Sequence, residues 1–168
     1  EKTGILSATN TLLENAYYII TPTALTPKEE ISEFRDFVLS LGAIPLILDY
    51  KIHDYSTAAI SHLPHMIAYS LVNLIHQIDD DKETMKTIAA GGFKDITRIA
   101  SSSPVMWQNI CASNREPLLS LMDQYLALLT KLRGYIDSSN EQALLSFFQQ
   151  AKDYRDSITL PSVKPPTV

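Results

Sequence analysis

His53-Asp54-Tyr55-Ser56-Thr57-Ala58-Ala59-Ile60-Ser61-His62-Leu63-Pro64-His65 opens a run that stays apolar and helix-forming through Ile78. Over 54–78 the apolar residues lie nearly all round the helical wheel, which marks a central buried helix. Pro64 lacks a backbone N–H and its ring crowds the preceding turn, so a kink is expected there. Residues three or four apart share a face, which lines up Asp54, Ala58, Ser61, His65 and Ala68. The alanines leave room for a ligand to approach Ser61 and His65. A hydroxyl and an imidazole on an otherwise apolar helix need partners, because unpaired buried polar groups are costly. On spacing alone, two satisfied core residues are the plainer reading. A Ser61/His65 nucleophile pair lacks an identifiable orienting residue. A metal set from His53, His62 and His65 lacks the carboxylate or thiolate that would complete it.

Upstream, Tyr17-Tyr18-Ile19-Ile20-Thr21 is aromatic and β-branched and stops at Pro22, as a short buried strand does. Thr26-Pro27-Lys28-Glu29 reads as a helix start, with Thr26 as N-cap, Pro27 in the first position and Glu29 closing a capping box. Ile31, Phe34, Val38 and Leu41 follow at helical spacing, and Gly42 ends the helix. Residues 43–49 form a second strand. This strand–helix–strand unit, with no strand after it, looks like the tail of an α/β sheet. The chain opens on Glu1 rather than Met and reads as beginning inside a longer protein.

Downstream the pattern is helical throughout. Helices are expected over 81–90, from Asp95 to Ser101 after a break at Gly91-Gly92, and from Ser103-Pro104 to about Ser113. A long helix capped by Asn114 follows to Ile136. A capping box of Ser139 and Gln142 opens the last, to about Ile158. The proline-rich end, Leu160 to Pro166, is a stiff extended linker. The fold class is mainly α, with boundaries at 1–51, 52–158 and 159–168. Leu118, Met122, Tyr125, Leu129, Leu132 and Ile136 form one stripe, flanked by Leu121, Leu128 and Tyr135. Leu144, Phe147, Ala151, Tyr154 and Ile158 keep the same rhythm. A stripe this wide suggests one contact within the chain and one with a partner helix, hence a homodimer.

Gly91-Gly92-Phe93-Lys94-Asp95-Ile96-Thr97-Arg98 is the second segment that could carry chemistry. Two glycines opening a helix allow close backbone approach and free N–H groups. Lys94 and Arg98 share a face, and Arg98 can hold a carboxylate with two parallel hydrogen bonds. The segment is too short for a dinucleotide fingerprint and no strand precedes it. On spacing alone, a solvated helix start reads equally well. Trp107 is the only tryptophan, more often core than function.

The formal net charge of −5 argues against a nucleic-acid partner. It does not exclude an anionic small ligand held by one arginine. Cys111 is the only cysteine, which excludes an intrachain disulfide and points to a cytoplasmic location. No apolar run reaches the roughly 18 residues a membrane span needs without charged or strongly polar breaks, so no membrane is expected.

Taken together, these segments resemble the prephenate and arogenate dehydrogenase family. The resemblance rests on Ser61-His62-Leu63-Pro64-His65, on Gly91 to Arg98, on Pro104-Val105-Met106-Trp107 with Asn114 downstream, and on Glu14 to Pro22 ahead of them. It runs from Glu1 to about residue 158. It implies a two-domain enzyme. A Rossmann-type domain, of which 1–51 would be the β-α-β end, binds NAD or NADP. A helical domain of the 6-phosphogluconate-dehydrogenase C-terminal kind makes the dimer and supplies much of the substrate pocket. The implied reaction is oxidative decarboxylation of prephenate to 4-hydroxyphenylpyruvate in tyrosine biosynthesis, with arogenate as the alternative substrate. The catalytic histidine would stand upstream of Glu1, so the chain alone is expected to be inactive. By position, Arg98 would clamp a substrate carboxylate. Ser61 and His65 would line the pocket near the ring and nicotinamide. Gly91, Lys94 and Asp95 would shape the wall around Arg98, and Glu1 would stand beside the substrate. Trp107 would reach toward the neighbouring subunit's site. The family often has a third glycine where this chain has Ala90. The competing reading is a non-catalytic helical interaction module in which Ser61, His65 and Arg98 are all structural.

Overall fold

The computed structural model of the chain describes residues 5–158. Glu1 and the proline-rich tail, both assigned roles above, lie outside the described residues. Strands β1 (Tyr17–Ile20) and β2 (Ile44–Ile47) pair in parallel, Tyr17 opposite Ile44 and Ile20 opposite Ile47. Helix α1 (Lys28–Ser40) connects them. Val38 is fully buried, Ala43 is buried beside it in sequence past the turn, and Tyr18 meets Phe34 edge-on at 5.9 Å. Gly42 closes α1 with a positive φ of 77°, the conformation that glycine adopts without strain. The expected capping box does not form. The Thr26 hydroxyl oxygen accepts from the Thr23 N–H at 3.1 Å, so Pro27 is the N-cap and no side chain caps the helix. Glu29 and Glu30 in the first turn favour the helix dipole instead.

Asp49 caps the next helix, α2 (Tyr50–Thr57), by accepting the Lys51 N–H at 2.9 Å. A π-helical turn over Ala58–His62 follows, and α3 (Leu63–Ile78) continues from it without a break. The distortion expected at Pro64 is this wider turn just ahead of it. A proline cannot donate to the carbonyl one turn back, and a π turn gives its ring room. The expected all-round burial is not found. The buried positions are Ala58, His62, His65 and Ala68, while Ile60, Leu74 and Ile78 are exposed. By length and composition alone, Tyr50–Ile78 is long and apolar enough to cross a membrane. Its Ser, His, Asn and Gln residues do not break the run as expected, because between Tyr55 and Ile78 there is no Asp, Glu, Lys or Arg.

Helix α4 (Thr84–Ile88) is shorter than expected. Two carboxylates hold the preceding residues as a loop: Asp80 accepts from the Thr84 hydroxyl at 2.7 Å and Asp79 from the Met85 N–H at 2.8 Å. Helix α5 (Gly91–Thr97) runs into a 3-10 turn over Arg98–Ser101. Tyr69 on α3 donates its hydroxyl to the Ser102 carbonyl at 2.9 Å and so ties the end of that turn to α3. Helix α6 (Pro104–Ser113) starts on a Ser103 cap, as expected, and α7 runs over Arg115–Asp137.

The chain divides into two compact units, 1–122 and 123–168, with the boundary inside α7. In the first unit Leu118 and Leu121 of α7 are buried. In the second, α7 turns at Ser139, whose φ is +52°, into α8 (Glu141–Ser157). A residue in that left-handed conformation cannot serve as the extended N-cap. Asn140 caps α8 in its place, accepting the Ala143 N–H at 3.0 Å. None of the described residues from 123 onward is buried. Leu126, Leu128, Leu129, Ile136, Leu145, Phe148 and Tyr154 are all exposed.

Candidate functional site

Two stretches of the first unit meet: the π turn with the start of α3, and the middle of α6. His65 stacks on Trp107 with ring centroids 3.7 Å apart and planes 24° from parallel. His65 is 8% exposed and Trp107 6%. His65 Nδ1 lies 2.9 Å from the Ser61 carbonyl oxygen. A carbonyl only accepts, so Nδ1 carries the proton and, in the neutral ring, Nε2 is a bare acceptor. The bond goes to the backbone of Ser61 rather than its hydroxyl, so the two residues do not form a nucleophile–base pair. His65 Nε2 and Trp107 Nε1–H are both buried without a hydrogen-bond partner. Each such group costs about 1–3 kcal/mol when left unpaired.

His62 and Asn114 complete the cluster. The His62 ring meets Trp107 edge-on at 5.9 Å. Asn114, between α6 and α7, donates its Nδ2 to the Asp54 carbonyl at 2.8 Å and lies 3.3 Å from His62 Nδ1. Burial, reinforced by the positive charge that His65 would carry, holds the His62 imidazole below its ordinary value, while Asp54 opposes the shift. A small cavity of about 270 Å³ lined by His53, Asp54, Thr57, His62, Ser113 and Asn114 opens on this side. Among the described residues no three His, Cys, Asp or Glu side chains are grouped to hold a metal.

The other expected site residues are placed differently. Trp107, expected to reach toward a neighbouring subunit, is buried against His62 and His65 of its own chain, because α6 lays its indole flat on the start of α3. Gly91 and Gly92 open α5 as expected, but nothing lies within 4 Å of a side chain added at either, so no close packing within the chain demands them. Lys94 faces a separate cavity of about 470 Å³ with Val72, His76, Asp79, Glu83 and Lys86. Asp95 and Arg98 are exposed, and the turn that carries Arg98 is anchored on α3 through Tyr69. A further cavity, of about 610 Å³, lies at the end of β1 beside Phe34 and Phe37 and contains none of these residues. Asn114 is legible in the sequence as a helix cap and as part of the family resemblance, but nothing in its spacing points to His62.

The family model for the prephenate dehydrogenase dimerization domain matches residues 49–150. The prephenate dehydrogenase of Bacillus subtilis is 38% identical over 159 residues, covering 95% of this chain and 43% of that protein. The chain therefore spans less than half the length of this relative. The crystal structure of prephenate dehydrogenase from Aquifex aeolicus, in complex with hydroxyphenyl propionate and NAD+, superimposes with a TM-score of 0.89 at 30% identity, covering 95% of this chain and 56% of that one. The Synechocystis arogenate dehydrogenase structure gives a TM-score of 0.82 at 28% identity, covering 88% and 53%. With both the matched domain and the fold in agreement, this chain belongs to the prephenate dehydrogenase family and carries its dimerization domain.

Proposed function

We propose that the full-length protein oxidatively decarboxylates prephenate to 4-hydroxyphenylpyruvate in tyrosine biosynthesis, and that this chain supplies much of its substrate pocket. One observation carries the reading. Within the matched domain an acceptor, His65 Nε2, and a donor, Trp107 Nε1–H, lie on stacked rings, buried and without partners. Both atoms are shielded from solvent, and a polar ligand admitted by a small shift of this aromatic wall would satisfy both. Arogenate is the alternative substrate, since it differs in the side chain rather than in the ring that reacts.

In this reading Arg98 clamps a carboxylate of the substrate through two parallel hydrogen bonds, which suits a dicarboxylate. Ser61 and His65 line the pocket by the ring, and Trp107 backs His65. Gly91, Lys94 and Asp95 form the wall on the Arg98 side. Hydride leaves the ring carbon bearing the hydroxyl, carbon dioxide is lost and the ring becomes aromatic. NAD or NADP would accept that hydride. The described residues do not fit its pyrophosphate: β1 leads into α1 with Glu29 and Glu30 in its first turn, and β2 leads into α2 on the Asp49 carboxylate cap, and these carboxylates repel a phosphate at either helix start. The cofactor would thus be held by another part of the full-length protein. We propose a functional boundary within a few residues of 51: β2 ends at Ile47 and the helical domain begins on the Asp49 cap, so the break falls between them.

Two copies of the chain would pair through the apolar faces of α7 and α8. The match to a dimerization domain supports this, as do the exposed Leu126, Leu145 and Phe148. A cytoplasmic location, with neither nucleic acid nor membrane as partner, belongs to the same reading. The deciding experiment is Arg98→Ala in the full-length enzyme. The KM for prephenate should rise roughly 10- to 100-fold, the usual weight of hydrogen bonds to a charged group. An unchanged KM would leave Arg98 a structural residue and defeat the proposal.

A further inference from the structure

We propose that Asn114 and His62 are positioning residues for the substrate pocket: Asn114 fixes the π turn and the His62 ring, and His62 fixes the His65–Trp107 stack. This inference rests on the reading of His65 and Trp107 as pocket residues. Neither Asn114 nor His62 needs to touch the substrate.

The Asn114 carboxamide nitrogen has two hydrogens and two acceptors within reach, the Asp54 carbonyl at 2.8 Å and His62 Nδ1 at 3.3 Å. Because a carbonyl can only accept, the amide must present its nitrogen here and not its oxygen. Asp54 lies in the last turn of α2, and its carbonyl also accepts the N–H of Ala58, the residue on which the π turn opens. The Asn114 donor therefore holds the last turn of α2, directly ahead of the π turn, from a residue far along the chain. A π turn left without such a brace can rewind, which would rotate Ser61 away from its place relative to His65.

The second hydrogen sets the state of His62. With Nδ1 accepting, the ring proton sits on Nε2 and the ring is neutral. Trp107 has no hydrogen bond to hold its indole, since Nε1 has no partner. Its orientation is a matter of ring packing, with the His62 edge at 5.9 Å and the His65 face at 3.7 Å. The cavity of about 270 Å³ beside His62 and Asn114 is room into which an unbraced His62 ring can swing. The structure thus links Asn114 to His62, His62 to Trp107, and Trp107 to His65.

The test is a double-mutant cycle in the full-length enzyme with Asn114→Ala and His62→Gln. The glutamine keeps an acceptor for Asn114 and removes the ring edge from Trp107. Prephenate and the nicotinamide cofactor are varied separately, and thermal unfolding is followed on the same samples. In each single variant the KM for prephenate should rise about tenfold, with the cofactor KM within about twofold and kcat within about threefold, as expected for misplaced rather than lost groups. The double variant should be no worse than the larger single one, because both act through one linkage. Additive effects would overturn the proposal. So would an unchanged prephenate KM, or equal rises in both KM values accompanying a lowered melting temperature. If Asn114→Ala does not fold, His62→Gln alone decides. Arg98→Ala, measured in parallel, separates the two failures. If it also leaves the prephenate KM unchanged, the pocket reading is lost; if it raises the KM, only the positioning role is.

Discussion

The imidazole of His65 lies flat on the indole of Trp107, with centroids 3.7 Å apart, and this stack joins α3 to α6. Trp107 is among the few buried apolar residues of the chain. Trp107→Ala should therefore lower stability by about 3–5 kcal/mol, the usual cost of removing a buried aromatic residue. Trp107→Phe keeps a ring against His65 and should lose less than half as much. Urea unfolding of the two variants beside the parent protein checks the order.

Gly42 sits at φ +77°, and a Cβ there would lie 3.4 Å from Glu14 Cγ. The Glu14 side chain is exposed and can give way, so the backbone conformation dominates the cost. Gly42→Ala should destabilise by about 1–2 kcal/mol. Gly42→Asn, which tolerates the left-handed region better, should recover part of that loss on thermal denaturation.

His62 gives the fold a pH dependence of definite sign. Burial first, then His65, hold its pKa below the ordinary 6.5, and Asp54 works the other way. Below that ordinary value the unfolded chain takes up a proton that the folded chain refuses. The contribution of neutral His62 is therefore fully present above 6.5 and is lost as pH falls through the lowered folded value. Urea midpoints should fall between about pH 8 and pH 5.5, and His62→Gln should flatten that slope. Asp80 acts in a separate window. Its hydrogen bonds from Thr84 hold it below 3.8, so its contribution is lost only at more acid pH.

The exposed apolar residues of α7 and α8 predict association. Light scattering of the chain should give the mass of a dimer at micromolar concentration, and the melting temperature should rise with concentration. Leu126 is 57% exposed, so Leu126→Glu removes nothing from the core of a single chain. It should nonetheless shift the protein to monomer by placing a charge in an apolar interface. A monomer mass for the parent protein would remove the basis of the pairing.

Much of the fold follows from local signals. The β-branched run at Tyr17–Ile20, the apolar spacing of α1, the turn at Gly42 and the Ser103 cap are set within about one helical turn or one strand. Ser61 and His65 share a stripe for the same reason, and the family was legible from the order of four short segments. The caps at Thr26 and Ser139 were misread because two neighbouring residues competed for one role. Hydrogen bonding to Thr23 removed the first, and a left-handed backbone the second.

What the sequence determined by itself was the mainly helical class, the order of the elements and the residues able to carry chemistry. Tertiary structure decided which of them meet. It laid Trp107 on His65, set Lys94 in a separate cavity, turned the Pro64 distortion into a π turn and brought Asn114 to His62. The physical reason is range. Backbone preference and hydrophobic period act over a few residues, whereas stacking, shared hydrogen-bond donors and burial depend on where elements far apart in the chain come to rest.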